Sequence, residues 1–270
     1  MKKSIDDAID KNAQWFEHYF RFGLISKGIV YCLTGIIATL AAIGYSRDST
    51  GKSEIFQFIY EQPFGRILLG VIALGLLGYS LLRFFQCFKD IDNKGGSAKG
   101  LAKRFGFFIS GLLYLSLGFY AGKLAVTGSQ GNGDSRQFMV GKILELPAGQ
   151  WIIGIIGVII IGNGLYQMYR GISQKFMKKI QLRAAKFSDL MKKSGIIGYA
   201  ARGFVLLIIG YLIVHAAMTA NPNEAKGTDG AFHFMESQFG GVLMALVAIG
   251  LIAYGAFMFV RAKYEQINVD

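Results

Sequence analysis

The stretch Gly23-Leu24-Ile25-Ser26-Lys27-Gly28-Ile29-Val30-Tyr31-Cys32-Leu33-Thr34-Gly35 places glycines five and then seven residues apart inside an apolar segment. The same two steps recur at Gly106, Gly111 and Gly118, and again at Gly198, Gly203 and Gly210. A spacing that returns twice in similar surroundings reads as three copies of one unit. The surroundings say where that unit sits. Six stretches, roughly 22–44, 64–85, 105–126, 149–170, 198–219 and 240–261, are apolar over the length of about 20 residues that a membrane-spanning helix requires.

Composition agrees with this reading. The 270 residues are 53% hydrophobic and 17% charged, with 36 glycines and a mean hydropathy of +0.40, which is the balance of a membrane protein rather than a soluble one. The expected fold is all-α and integral to the membrane, with six spans as three tandem parallel two-helix repeats in a pseudo-threefold arrangement. Each repeat enters and leaves on the same side, so the copies are not the inverted repeats around which many secondary transporters rock. The expected divisions are an amphipathic segment 1–21, repeats at 22–94, 95–174 and 195–270, and a cationic amphipathic linker at 175–194.

The net charge of +12 is distributed by topology. Twenty-two of the 29 Lys and Arg fall on the side that holds both termini and the connections after the second and fourth spans, and seven fall on the other. Excess Lys and Arg stay cytoplasmic, which predicts both termini inside a bacterial inner membrane. The acids are split nearly evenly, so the charge points to anionic lipid on the cytoplasmic side and away from nucleic acid. No cleaved signal is expected, since the first apolar core is too long for one. Cys32 and Cys87 are expected as reduced thiols.

Each repeat runs from a span through an outer loop and a short apolar segment into a second span. The short segments are expected to lie on the outer leaflet. The second spans carry Gly75 and Tyr79, Gly162 and Tyr166, and Gly250 and Tyr254, each pair four apart. These tyrosines, with Arg83 and Arg170 after them, are the residue types that anchor a span at the interface. Between 171 and 194, seven basic residues and the apolar stripe Phe176, Ile180, Phe187 and Met191 predict a helix on the anionic leaflet or, alternatively, a partner-binding surface. The segment before the first span also has helical apolar spacing, at the inner interface or packed on the protein's own cytoplasmic face.

At about 100° per residue the three glycines of each set share one side of their helix. Lipid tails provide no hydrophobic drive for helices to associate, so small residues that allow close backbone approach mark that side as the packed one. Lys27, Ser110 and Arg202 occupy equivalent positions on it, as do Tyr31, Tyr114 and Leu206. Lys27, Tyr31, Ser110, Tyr114 and Arg202 therefore form the candidate site for an anionic lipid head group or the inner mouth of an axial cavity. The competing expectation is that Lys27 and Arg202 snorkel to the interface. Lys123 and His215 fall on the opposite side near the outer ends, and Asn163 is expected to hydrogen bond between helices or to touch a substrate.

No zinc-binding spacing, phosphate-binding loop or nucleophile elbow occurs, and the spans hold no Asp or Glu pair to relay protons. No metal and no cofactor are expected, and an enzyme is the least supported class. A non-enzymatic module that binds lipid or a membrane-protein partner, and a small-solute channel or transporter with a path along the repeat axis, are the two readings left.

With these glycine and tyrosine spacings, the chain resembles the bacterial membrane family catalogued as domain of unknown function 1206. Ala201-Arg202-Gly203 and Val260-Arg261-Ala262-Lys263-Tyr264 carry the resemblance best. The first two repeats depart from it, with Lys27-Gly28 and Ser110-Gly111. The resemblance extends over nearly the whole chain from about residue 16. It implies an inner-membrane location and no known activity.

Overall fold

The computed structural model describes residues 2–44, 52–89, 95–128, 135–180 and 188–265. The outer turns expected within 45–51 and 129–134, and the middle of the cationic linker at 181–187, lie outside the described residues. The described chain is helical: α1 (Lys2–Ala42), α2 (Lys52–Glu61), α3 (Gly65–Phe88), α4 (Ala98–Thr127), α5 (Ser135–Leu144), α6 (Gly149–Ile172), α7 (Ser188–Thr219) and α8 (Thr228–Tyr264). Six of these, α1, α3, α4, α6, α7 and α8, are long and apolar enough to cross a membrane. At 1.5 Å per residue, the 24 residues of α3 or α6 reach about 36 Å against a hydrocarbon core of about 30 Å.

Local chemistry sets the ends. Ser97 caps α4 by accepting a hydrogen bond from the Gly100 N–H, and Gly128 closes the same helix in the left-handed conformation. α8 is two helices in succession, bent at Gly240, whose φ of 80° ends the first and starts the span. The short outer segments are not simply laid on lipid. Phe56 and Ile59 of α2, and Phe232 and Met235 at the start of α8, are buried in the protein core.

On the termini side the backbone of α1 runs unbroken from Lys2 into the first span, and one expectation is corrected. The linker is not one helix: Gln174 takes a left-handed turn after α6, a 3-10 turn covers Lys175–Lys179, and α7 begins at Ser188. The reason is packing. Phe176 inserts between Tyr199 and Phe257, with ring centroids at 5.2 and 5.0 Å, and Gly195 leaves room for its ring.

The spans are arranged as a row of neighbours, α4–α3–α1–α8–α7–α6. Along this row, contacts within a repeat alternate with contacts between repeats. The interfaces between repeats (α3 with α4, α6 with α7, α8 with α1) are all present, as are those within repeat 1 (α1 with α3) and repeat 3 (α7 with α8). Within repeat 2, α4 and α6 do not pack along one another. These two outermost spans are also the least covered, with 22% of their apolar window buried against about half for α1, α3 and α8.

The glycines show how the interfaces compare. A Cβ on Gly35 would lie 2.5 Å from the Ala248 carbonyl and 2.6 Å from Ile252. One on Gly118 would meet the corresponding residues, Leu77 at 2.9 Å and the Ala73 carbonyl at 3.3 Å. On Gly210 it would meet Ile161 at 2.6 Å and the Gly157 carbonyl at 2.9 Å, each three residues away from what alignment on Tyr166 demands. The cause lies in chain spacing. Gly65 to Gly75 and Gly240 to Gly250 are ten residues each, whereas Gly149 to Gly162 is thirteen. The α3 and α6 starts are fixed alike, because a Cβ on Gly65 or Gly149 would strike the carbonyl of Ile59 or Ile143 at 1.9 or 2.0 Å. The three extra residues therefore displace everything after them by about one turn. In space Asn163, not Tyr166, stands where Tyr79 and Tyr254 stand, and Ile159 stands where Gly75 and Gly250 stand.

That substitution opens repeat 2. Cβ atoms on Gly75 and Gly250 would lie 1.7 Å from Ser26 Oγ and 2.4 Å from Ala201 Cβ, so the first helix closes onto bare backbone in repeats 1 and 3. At the same place α6 carries Ile159, which is exposed, in place of a glycine that a first helix could close onto. Gly23 and Gly198 likewise press against Tyr79 and Tyr254, at 2.8 and 2.5 Å from a built Cβ, while Gly106 has nothing within 4 Å. The remaining second glycines pack across repeats: Gly28 on Phe259, Gly111 on Phe84, and Gly203 on Met168 and the Gly164 carbonyl. The three repeats thus share an order of neighbours, and repeat 2 departs from the other two in register and packing.

Candidate functional site

The packed glycine faces bring one polar cluster to the centre, about two turns into the spans from the side that holds the termini. Every spanning helix contributes to it: Lys27 and Tyr31 from α1, Tyr79 from α3, Tyr114 from α4, Gln167 from α6, Arg202 from α7 and Tyr254 from α8. Lys27 is only 2% exposed, so it does not snorkel to the interface. Its Nζ donates to Tyr79 Oη at 3.3 Å and lies 4.8, 5.0 and 5.5 Å from the ring centroids of Tyr79, Tyr114 and Tyr254. Ring faces within about 6 Å attract a cation, by roughly 2 kcal/mol when the pair is desolvated, which offsets part of the cost of burying the ammonium.

Arg202 repeats the arrangement. Its Nη1 donates to Tyr254 Oη at 2.5 Å and to Gln167 Oε1 at 3.3 Å, and the guanidinium lies over the rings of Tyr31 and Tyr254 at 5.4 and 5.0 Å. The Lys27–Tyr79 and Arg202–Tyr254 bonds join equivalent positions of repeats 1 and 3, each spanning 52 residues. The rings also lock together edge to face, Tyr31 on Tyr254 and Tyr79 on Tyr114, both at 4.8 Å. Arg83 donates to Tyr79 Oη from the adjoining turn and lies over the rings of Tyr79 and Phe107.

The hydrogen-bond partners of Arg202 are neutral, and its Nε is buried with none. Tyr114 Oη is buried and unpartnered as well. A delocalised cation with an unused N–H, beside an unused phenol O–H, offers donors to a group made of acceptors, as a phosphate or carboxylate is.

Of the residues singled out from sequence, Lys27, Tyr31, Tyr114 and Arg202 converge. Ser110 is half-buried one turn from Tyr114 on α4. Asn163 is exposed one turn from Gln167 and makes no hydrogen bond among the described residues. Lys123 is exposed at the far end of α4. His215, 3.9 Å from Glu224, lines a separate far-side cavity of 540 Å³ with Tyr211, His233 and Glu236. Sequence reasoning missed Tyr79, Tyr254 and Gln167. The glycine four residues before each tyrosine was the available signal, since a glycine one turn below an aromatic marks a packed face as well as an interface. Tyr79 and Tyr254 are 0% and 1% exposed and are not interface anchors. Tyr166, at 52%, lies at the surface.

Fold and cluster together define a class: a multi-pass helical membrane protein made of three tandem two-helix repeats that share one cationic, tyrosine-lined centre. The family model described as Domain of Unknown Function (DUF1206) matches residues 22–90, 105–174 and 197–265, and the chain belongs to that family. It is 32% identical over 261 residues to an uncharacterized protein, YxxB, of Bacillus subtilis (strain 168), an alignment covering 94% of this chain and 93% of the relative. No solved structure matches.

Proposed function

We propose that this protein is a non-enzymatic module of the bacterial inner membrane, with both termini cytoplasmic, that holds the head group of an anionic phospholipid at the Lys27–Arg202 cluster. The observation that carries the reading is the convergence of these two cations from different repeats on one tyrosine cage, with the Arg202 Nε and Tyr114 Oη left over as donors. The excess of basic residues on the same side favours the anionic leaflet as the source of the ligand. Ring contacts at 4.8 Å between neighbouring helices within the cluster favour a holding site over an axial path for solute.

The test is lipid retention. Native mass spectrometry of the full chain released from mixed phosphatidylglycerol and phosphatidylcholine is expected to show phosphatidylglycerol retained by the wild type. The Lys27→Met, Arg202→Met double variant, which keeps apolar volume at both sites, is expected to lose most of it. Equal retention by the two proteins refutes the reading.

A further inference from the structure

We infer that the opening between α4 and α6 is the lateral portal through which that phospholipid enters, with its phosphate at Arg202 and Tyr114 and an acyl chain lying between the two helices. The inference rests on the head-group reading above and adds the route and the seat of the chain.

The opening is where repeat 2 fails to close. Its walls carry Ser110 and Tyr114 one turn apart on α4, and Asn163 and Gln167 one turn apart on α6. Ser110 and Asn163 hold the places that the hydrogen-bonded pairs Lys27–Tyr79 and Arg202–Tyr254 hold in the other repeats. Repeats 1 and 3 thus spend their cation–tyrosine pair on closing themselves. Repeat 2 presents a short hydroxyl and an exposed amide at the same depth.

These walls lead to two of the buried donors that lack a partner. Gln167 Oε1 accepts from Arg202, whose Nε is buried without a partner. Tyr114, 5% exposed, has a hydroxyl without one. Farther from the termini side the walls turn apolar, with Leu117 on α4 and Ile156 and Ile159 on α6. Polar donors at one level and an aliphatic trough beyond it match the order of phosphate and acyl chain in a phospholipid. Cationic and neutral donors select an anionic head group. An asparagine exposed at mid-span is expensive against hydrocarbon alone, and an ester or phosphate oxygen beside it supplies the missing acceptor.

Gly106 gives a clean handle, because a Cβ there meets nothing within 4 Å. The full chain in nanodiscs is irradiated with phosphatidylglycerol carrying a diazirine on one acyl chain, and the adducts are mapped by peptide mass spectrometry. Adducts are expected on 110–120 and 152–163, competed by excess phosphatidylglycerol and not by phosphatidylcholine. Gly106→Trp, which fills the opening, is expected to reduce them at least fivefold with the melting temperature unchanged. Adducts confined to other faces, or cross-links there between two copies of the chain, overturn the portal. If head-group retention still depends on Lys27 and Arg202 in that case, the binding reading stands without it. If retention is independent of them, both readings fall.

Discussion

Repeats 1 and 3 close on themselves and repeat 2 does not, although all three carry the same glycine steps in their first helix. In repeats 1 and 3, Gly75 and Gly250 let the partner helix approach to within 1.7 and 2.4 Å of where a Cβ would sit. A tyrosine one turn on then takes a hydrogen bond from Lys27 or Arg202. In repeat 2, three extra residues after Gly149 bring Ile159 and Asn163 to those two places. The side chains that close a repeat are thus set by distance from the turn that starts the second helix, and not by the motif within it. A shift of about 4.5 Å along one helix turns a packed pair into an opening.

The largest expected difference between these regions is at the first glycine of each set. Gly198→Leu drives a side chain into the Tyr254 backbone, 2.5 Å from the built Cβ, and is expected to cost about 3 kcal/mol. Gly106→Leu is expected to cost less than about 0.5 kcal/mol. Thermal unfolding of the two variants in the same detergent measures both, and similar losses break the comparison.

Next in size are the polar partners. Arg202→Met leaves Gln167 and Tyr254 buried without their donor, at a cost of about 2 kcal/mol. Ser110→Ala, at the equivalent position of the open repeat, is expected to fall within about 0.5 kcal/mol of wild type.

A third experiment converts one region into the other. Ile159→Gly combined with Asn163→Tyr and Ser110→Lys rebuilds the repeat 1 contact in repeat 2. It is expected to draw α4 and α6 to the packed interaxial distance of about 8–10 Å. Pulsed spin-label distances between the far ends of the two helices read the approach, and an unchanged distance shows that the opening is held by something other than Ile159.

The smallest effect is expected at Lys123, exposed near the far end of α4. Lys123→Ala should shift stability by no more than about 0.5 kcal/mol, whereas a large loss there gives the lysine a role that its exposure does not supply.

Much of this was legible in the chain because close helix packing writes small residues at helical intervals. The six spans follow from hydropathy, and the faces bearing Gly28, Gly35, Gly111 and Gly118 follow from spacing alone. The ten, thirteen and ten residue intervals were equally visible, but Gly162 and Tyr166 form a more conspicuous match than an interval does. Pairing by motif concealed that Asn163 occupies the tyrosine's place. Burial of Lys27 and of the two tyrosines was not legible, because an interface lysine and a buried one have the same spacing along a helix; depth comes only from what the neighbouring helices supply. Phe176 shows the same limit. An apolar stripe in a basic segment reads alike whether it meets lipid or, as here, the rings of Tyr199 and Phe257.

The seating of α1 against α8 bears on how the molecule is assembled. Arg21 donates to the carbonyl of Ala262, 241 residues later, and Gly28 and Gly255 bring their backbones together in the same interface. Of the six described spans, the earliest made therefore acquires one of its two flanking neighbours from the latest made. Lys27 is made before the three tyrosines whose rings surround its ammonium, Tyr79, Tyr114 and Tyr254 in that order. Until α8 arrives, the glycine face of α1 is a vacancy that other small-residue helices fit. The nascent protein is most in need of an insertase or chaperone during the interval between synthesis of α1 and synthesis of α8.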